Sequence, residues 1–255
     1  MNEIFQDWLK QRTNFKHLKD WNPSIVEKTI EYHNLKTSGF ISRVITGNPG
    51  YGKSTFAFKL IAKVYWVLNN CTEIEDEEKC YQYALDNMMY QPQELLNRVA
   101  QQLQIRKPAL IWCLDDASIH MGRQLWDQDR QMYRDIQDVI PTIREHVTCL
   151  LITTPNVKLL MKPLREFFDV KMIMQLEEGI KRYKRRGKHY FRDYYPDDVH
   201  YCMHHPFDDM FSCLVPEPFY TWYRNKKLDA LELYHKNKKN RTHYTGEAPE
   251  EHSGE

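Results

Sequence analysis

Eight consecutive residues, Gly47-Asn48-Pro49-Gly50-Tyr51-Gly52-Lys53-Ser54, constrain the fold of this chain more than any other feature. They spell G-x-x-x-x-G-K-[ST], and each fixed position has a physical task. The glycines let the backbone curl so that successive N–H groups point at one anion. Lys53 places a positive charge on the outer phosphates, and the Ser54 hydroxyl is suited to Mg²⁺. Upstream, Phe40–Thr46 is apolar and β-branched, which predicts a buried strand. Downstream, Thr55–Trp66 carries apolar residues at helical spacing. A strand, a loop and a helix follow, with the anion on the helix N-terminus, where the dipole and unpaired amides favour negative charge. The expected phosphate contacts are therefore Gly47, Asn48, Pro49, Gly50, Tyr51, Gly52, Lys53, Ser54 and Thr55.

A chain of 255 residues with 42% hydrophobic content suits one α/β domain with an appendage. The formal net charge is +1, so any attraction to nucleic acid has to come from local patches. The six cysteines are scattered, and Cys113 and Cys149 fall in predicted buried strands. That pattern points to reduced thiols and an intracellular protein rather than a disulfide scaffold. No stretch approaches the ~20 apolar residues of a membrane span. The start, Met1–Trp8, lacks the basic and apolar runs of a secretion signal.

The chain divides into four parts. Residues 1–38 are polar and aromatic and predict short helices, one starting near Pro23; such a segment is a candidate to cover a nucleotide base. Residues 39–178 form the core. Its strands are expected at Phe40–Thr46, Ala109–Leu114, Val147–Thr154 and Val170–Leu176, with a short apolar segment at Met88–Tyr90. Helices fall between them: Gln93–Gln104, the amphipathic stretch Asp127–His146 with a kink at Pro141, and Val157–Phe168. Alternation of strands and helices predicts a parallel sheet in a three-layer α/β/α sandwich. The acidic run Glu73–Glu78 reads as a solvated face. Residues 179–235 form a small basic and aromatic appendage, with a hairpin turning at Gly187 and a last helix, Phe219–His235. The polar tail, 236–255, predicts disorder.

The partner of the phosphate loop is Leu110–Asp116, an apolar strand ending in two acids. Asp115 is the candidate metal carboxylate, together with Ser54; Mg²⁺ keeps much of its hydration shell and is held by few protein oxygens. Asp116, just past the strand end, is the candidate to orient or deprotonate a water. A third strand, Leu150–Ile152, runs into Thr153, Thr154, Pro155 and Asn156. These polar side chains are candidates for a γ-phosphate sensor, and Asn156 joins Lys53 and Asp116 as a candidate catalytic residue. Arg165 is the candidate for a charge donated to a neighbouring subunit, with Arg144 and Arg123 as rivals. Lys181, Arg182, Lys184, Arg185, Arg186 and Lys188 alternate with Tyr183, Tyr190 and Phe191, a pattern suited to nucleic acid, in which cations meet phosphates and rings stack on bases. His200, Cys202, His204, His205 and Cys213 lack zinc-ligand spacing.

Gly47–Thr55, Leu110–Asp116 and Leu150–Asn156 together resemble the phosphate loop, acidic strand and sensor strand of the additional-strand P-loop ATPases. That superfamily includes AAA+ helicase loaders and replication initiators, and the DNA-pumping ATPases of plasmids and viruses. The Asp-Asp pair and Leu164–Phe168 lean toward the loaders, and the overall layout is similar to small ATPases of archaeal viruses and plasmids. The resemblance implies ATP and Mg²⁺ as cofactors, a five-stranded parallel core with the sensor strand between the loop strand and the acidic strand, and assembly into homo-oligomers. The chain departs from the pattern in lacking a helical lid with a second sensor arginine and a recognisable helix-turn-helix.

The leading expectation is an ATPase coupling hydrolysis to DNA-related work such as helicase loading, replication, remodelling or packaging. The alternatives are a small-molecule or nucleoside kinase, with 181–192 as its lid, and a nucleotide-gated scaffold with little hydrolysis. No guanine-reading N-K-x-D sequence is present, which argues against GTP.

Overall fold

Strand β1 (Ile41–Thr46) is buried at all six positions, as a strand covered on both faces has to be. It opens the sheet of a computed structural model that describes residues 17–23, 25–34, 39–176, 184–194, 201–204 and 208–243. The other strands are β2 (Met88–Met89), β3 (Ala109–Leu114), β4 (Val147–Thr153), β5 (Val170–Leu176), β6 (Lys184–Tyr194), β7 (Tyr201–His204) and β8 (Asp208–Ser212). The sheet order is β2-β3-β4-β1-β5-β6-β7, with β8 also paired to β6. The first five strands are parallel, and the additions at β6 are antiparallel. The expected five-stranded parallel core is present, with β4 between β1 and β3.

Helices cover both faces, giving the three layers. One face carries α1 (Ile25–Asn34), α2 (Lys53–Leu68), α3 (Glu77–Asn87) and the long C-terminal helix, which close a core of Phe56, Phe58, Leu60, Tyr81 and Phe211. The other carries α4 (Pro92–Ile105), α5 (Arg130–Val139) and α6 (Lys162–Phe167), over Val44, Trp112, Leu150 and Ile152. The last helix, α7 (Phe219–His243), buries Phe219, Tyr223 and Ala230. No described helix is long and apolar enough to cross a membrane.

Several local expectations are corrected. Gly187 is not a hairpin turn: β6 runs straight through it, with Gly187 opposite Met174 of β5. A Cβ there would stand 1.8 Å from Met172 Cε, so the glycine admits the buried methionine. The helix expected at Val157–Phe168 breaks into a 3-10 turn, Val157–Leu159, and α6, which begins beside Pro163. Glu77 is not solvated; it is 1% exposed and accepts the Leu18 N–H at 2.5 Å, holding the N-terminal segment to α3. The described residues of that segment do not line the cavity at the phosphate loop. His33 of α1 bonds Thr148 at the start of β4, the edge opposite the phosphate loop. The last helix continues to His243, past the expected end at His235. Lys181, Arg182, Tyr183, His200 and His205 lie outside the described residues.

The basic appendage is joined to the core rather than hung from it. Lys59, fully buried in α2, donates to the carbonyls of Ser212 and Leu214 at 3.1 and 3.0 Å, pinning the chain after β8 against the helix that follows the loop. Burial pushes the Lys59 ammonium down to about 8.

Candidate nucleotide site

The parallel register sets the site. Val44 and Leu114 both stand level with Ile152 of the intervening strand, so Thr46, Asp115 and Thr153 emerge together at the carboxyl edge of the sheet. Open α/β sheets bind ligands at that edge. The loop after β1 is built as its glycines require: Gly47, Gly50 and Gly52 all take positive φ, where an L side chain is strained. At Gly52 the backbone also passes so close to Cys213 that a Cβ would lie 2.4 Å from its Sγ. Gly52 caps α2 with φ 83°, leaving the first amides of the helix turned toward the cavity.

Lys53 is 6% exposed. Its Nζ donates to the carbonyls of Gly47 and Asn48 at 2.9 and 3.0 Å, folding the side chain back over the loop. Burial lowers its pKa, and the charges of Asp116 and Asp115 oppose that shift. The ammonium is thus placed where phosphate oxygens would complete its coordination.

The acids sit where β3 ends. Asp115 is fully buried. Its Oδ1 accepts the Thr153 hydroxyl at 2.6 Å, and its Oδ2 accepts the Tyr223 hydroxyl at 3.2 Å. Asp116 adopts φ 46°, a left-handed turn that swings its carboxylate off the strand line. Its amide donates to Thr153 Oγ1 at 2.8 Å. One hydroxyl of the intervening strand therefore joins both acids.

A cavity of about 780 Å³ opens above these groups, lined by Pro49, Gly50 and Gly52–Thr55 of the loop, by Asp116 and by Arg185, Tyr220, Tyr223, Arg224 and Lys227. The last four recur at one-turn spacing on α7, so a single helical face covers the loop. Lys227 Nζ lies 2.5 Å from Asp116 Oδ2 and 3.4 Å from Asp115 Oδ2. Tyr223 bridges Asp115 and Ser54; burial first, then the Asp115 charge, raise its pKa, which the Ser54 hydrogen bond opposes. The oxygens of Ser54 and Asp115, both within reach of one phenol, are hard donors of the kind Mg²⁺ takes.

The structure therefore brings the phosphate loop, Lys53, Ser54, Asp115 and Asp116 together. The other predicted residues fare differently. Asn156 is exposed, and its Oδ1 accepts the Lys158 amide as the cap of the 3-10 turn; Thr153 makes the contact with the acids. Arg165 is half-buried on α6 and lies outside the cavity of its own chain. Arg144 pairs with its neighbour Glu145 at 3.3 Å on the surface. Of the basic segment, Arg185 lines the cavity, while strand alternation puts Arg186 and Lys188 on the other face. Tyr223, Arg224 and Lys227 were missed as site residues. Their signal was the 220/223/224/227 spacing in a helix that sequence reading placed in a separate appendage.

No protein-family profile matches the chain. A curated relative, uncharacterized protein B-251 of Sulfolobus spindle-shape virus 1, is 31% identical over 133 residues, 51% of this chain and 48% of that protein. The match thus spans about half the length of each. Among solved structures, the chain is similar to the N-terminal domain of zonular occludens toxin from Neisseria meningitidis, with 14% identity, coverage of 67% and 95% of the two chains and a TM-score of 0.38. It is also similar to a KaiC-like protein from Pyrococcus horikoshii OT3, with 16% identity, coverage of 64% and 89% and a TM-score of 0.37. These superpositions are loose. The fold follows from the chain's own geometry: a phosphate loop after β1, acids after β3 and an intervening β4 in a parallel sheet give an additional-strand P-loop core.

Proposed function

We propose that the protein binds ATP with Mg²⁺ at this edge of the sheet and hydrolyses it to drive work on DNA, as a replication, loading, remodelling or packaging ATPase. The observation that carries the reading is the convergence of Lys53, Ser54 and Asp116 around one cavity, with the buried Asp115 beneath it joined to Asp116 through Thr153. Bound Mg²⁺ would neutralise phosphate charge next to Ser54 and Asp115. The amides of the loop and of the first turn of α2 bind the phosphate tail, and Lys53 holds its outer oxygens. Asp116 orients the attacking water and accepts its proton. Thr153 keeps Asp115 oriented and holds the Asp116 amide through the same hydroxyl. Arg165 serves a neighbouring copy in a homo-oligomer. Arg186 and Lys188, in one basic run of sequence with Lys181, Arg182 and Lys184, supply the basic surface for DNA phosphates. A viral protein, matched over about half of its length, accords with service to a mobile element.

The pairing of Asp116 with Lys227 favours one second reading, a nucleotide-gated scaffold with slow hydrolysis. The kinase alternative loses its lid, since 184–194 is a strand within the sheet. The deciding experiment is an ATPase assay with single-stranded and duplex DNA on the wild type, Lys53→Ala and Asp116→Asn. Turnover that rises with DNA and disappears in both variants supports the proposal. Rates indifferent to both substitutions exclude it, and turnover without a DNA response leaves the ATPase and removes the DNA role.

A further inference from the structure

Lys227 occupies a place that the proposed chemistry needs for another cation. Its ammonium contacts both acids at the end of β3. Asp115 Oδ2 takes Tyr223 and Lys227 as donors, and Oδ1 is held by Thr153. Two of these three donors, and the ammonium among them, come from α7.

The contact is built into the fold. Lys226, the adjacent residue, donates to the carbonyls of Leu85 and Met88 at 2.5 and 3.0 Å, where α3 turns into β2. Phe219 stacks on Tyr81 and Tyr223 on Phe58, with ring centroids 4.6 and 5.1 Å apart. The helix is anchored on the core from Phe219 to Lys226, and Lys227 is delivered to the acids by that anchorage.

A divalent cation held by Ser54 and Asp115 would repel an ammonium on the same carboxylate. We propose that Lys227 is the resident counter-ion of the acidic pair, which Mg²⁺ has to displace, so that metal loading and the seating of α7 are linked. Displacement also frees Asp116 from the ammonium and leaves its carboxylate to the water. The inference rests on the reading of Asp115 as the metal carboxylate. Linkage is reciprocal: the factor by which Lys227 weakens metal binding is the factor by which the metal weakens helix seating.

The test uses ADP binding measured by calorimetry with Mn²⁺ and with EDTA, and the gain in affinity that Mn²⁺ confers is the readout. Lys227→Met is expected to raise that gain about tenfold, while Lys227→Arg, which keeps the cation, stays near the wild type. Hydrogen exchange supplies a measurement that needs no variant. In the wild type, Mn²⁺ with ADP is expected to speed exchange of the amides after Tyr223 relative to ADP alone. A gain unchanged or reduced in Lys227→Met, or exchange indifferent to Mn²⁺ in the wild type, overturns the inference. Asp115→Asn separates it from the reading beneath it. If that variant retains the full Mn²⁺ gain, the metal assignment falls, and the inference with it. If Asp115→Asn abolishes the gain and Lys227→Met leaves it unchanged, only the role of Lys227 falls.

Discussion

The Thr153 hydroxyl donates to Asp115 Oδ1 across 2.6 Å, and this bond ties the intervening strand to the acidic strand at the level of the phosphate loop. The same oxygen accepts the Asp116 amide, so removing it leaves a buried carboxylate one donor short and a backbone N–H without its acceptor. Thr153→Val keeps the shape and loses the oxygen. It is expected to destabilise the fold by about 1–3 kcal/mol and to slow ATP turnover by about tenfold or more, with ADP affinity little changed. Thr153→Ser should restore both. Guanidinium unfolding and steady-state turnover measure the two effects.

Gly52 is required twice over, by its φ of 83° and by the approach of Cys213. Gly52→Ala is expected to cost about 1–3 kcal/mol from backbone strain and to abolish nucleotide binding by displacing the loop. Adding Cys213→Ala relieves the steric part and not the strain, so it should recover stability only in part. Thermal melting and ADP calorimetry on the single and double variants check this. Full recovery in the double variant would show that backbone conformation contributes nothing.

Gly187 is different, since its constraint is a neighbour rather than a dihedral angle. Gly187→Ala drives a methyl group into Met172, which is fully buried, and overpacking of this kind costs about 1–3 kcal/mol. Met172→Ala alone should destabilise by leaving a cavity. The double variant is expected to be more stable than the sum of the two changes predicts, and a double-mutant cycle reads that coupling.

Lys59 makes stability depend on pH. Its ammonium titrates at about 8 in the folded chain against an ordinary 10.5. Between those values the unfolded chain binds more protons, so stability rises with pH through that window. The contribution is fully present above 10.5 and lost as pH falls through 8, an amplitude on the order of 3 kcal/mol. Lys59→Met, which has no proton to bind, should lack that rise. Guanidinium unfolding on both sides of the window, for both proteins, provides the comparison.

Much of the site could be read from the chain because its parts are local. The phosphate loop depends on glycines and a lysine at fixed spacing within eight residues, and the acids follow directly on an apolar run. The buried strands and their parallel arrangement follow from short apolar segments alternating with helical ones. Other features depend on residues far apart in sequence. Gly187 looked like a turn, because a glycine in a basic run reads as a break; only its contact with Met172 explains it. Asn156, Thr153 and Thr154 were equivalent as strand-end polar residues until the register placed Thr153 level with Asp115.

The sequence by itself determined that a phosphate loop precedes a helix and that two acids end a neighbouring strand, because backbone conformation and strand burial are dictated by adjacent residues. Only the tertiary structure decided which hydroxyl joins those acids and that Lys227, 112 positions after Asp115, neutralises them. The physical reason is that α7 is held over the loop by aromatic stacking and by Lys226 on the carbonyls of Leu85 and Met88. Such packing depends on where distant surfaces meet: the spacing of 220, 223, 224 and 227 marks one face of a helix and does not say which surface that face covers.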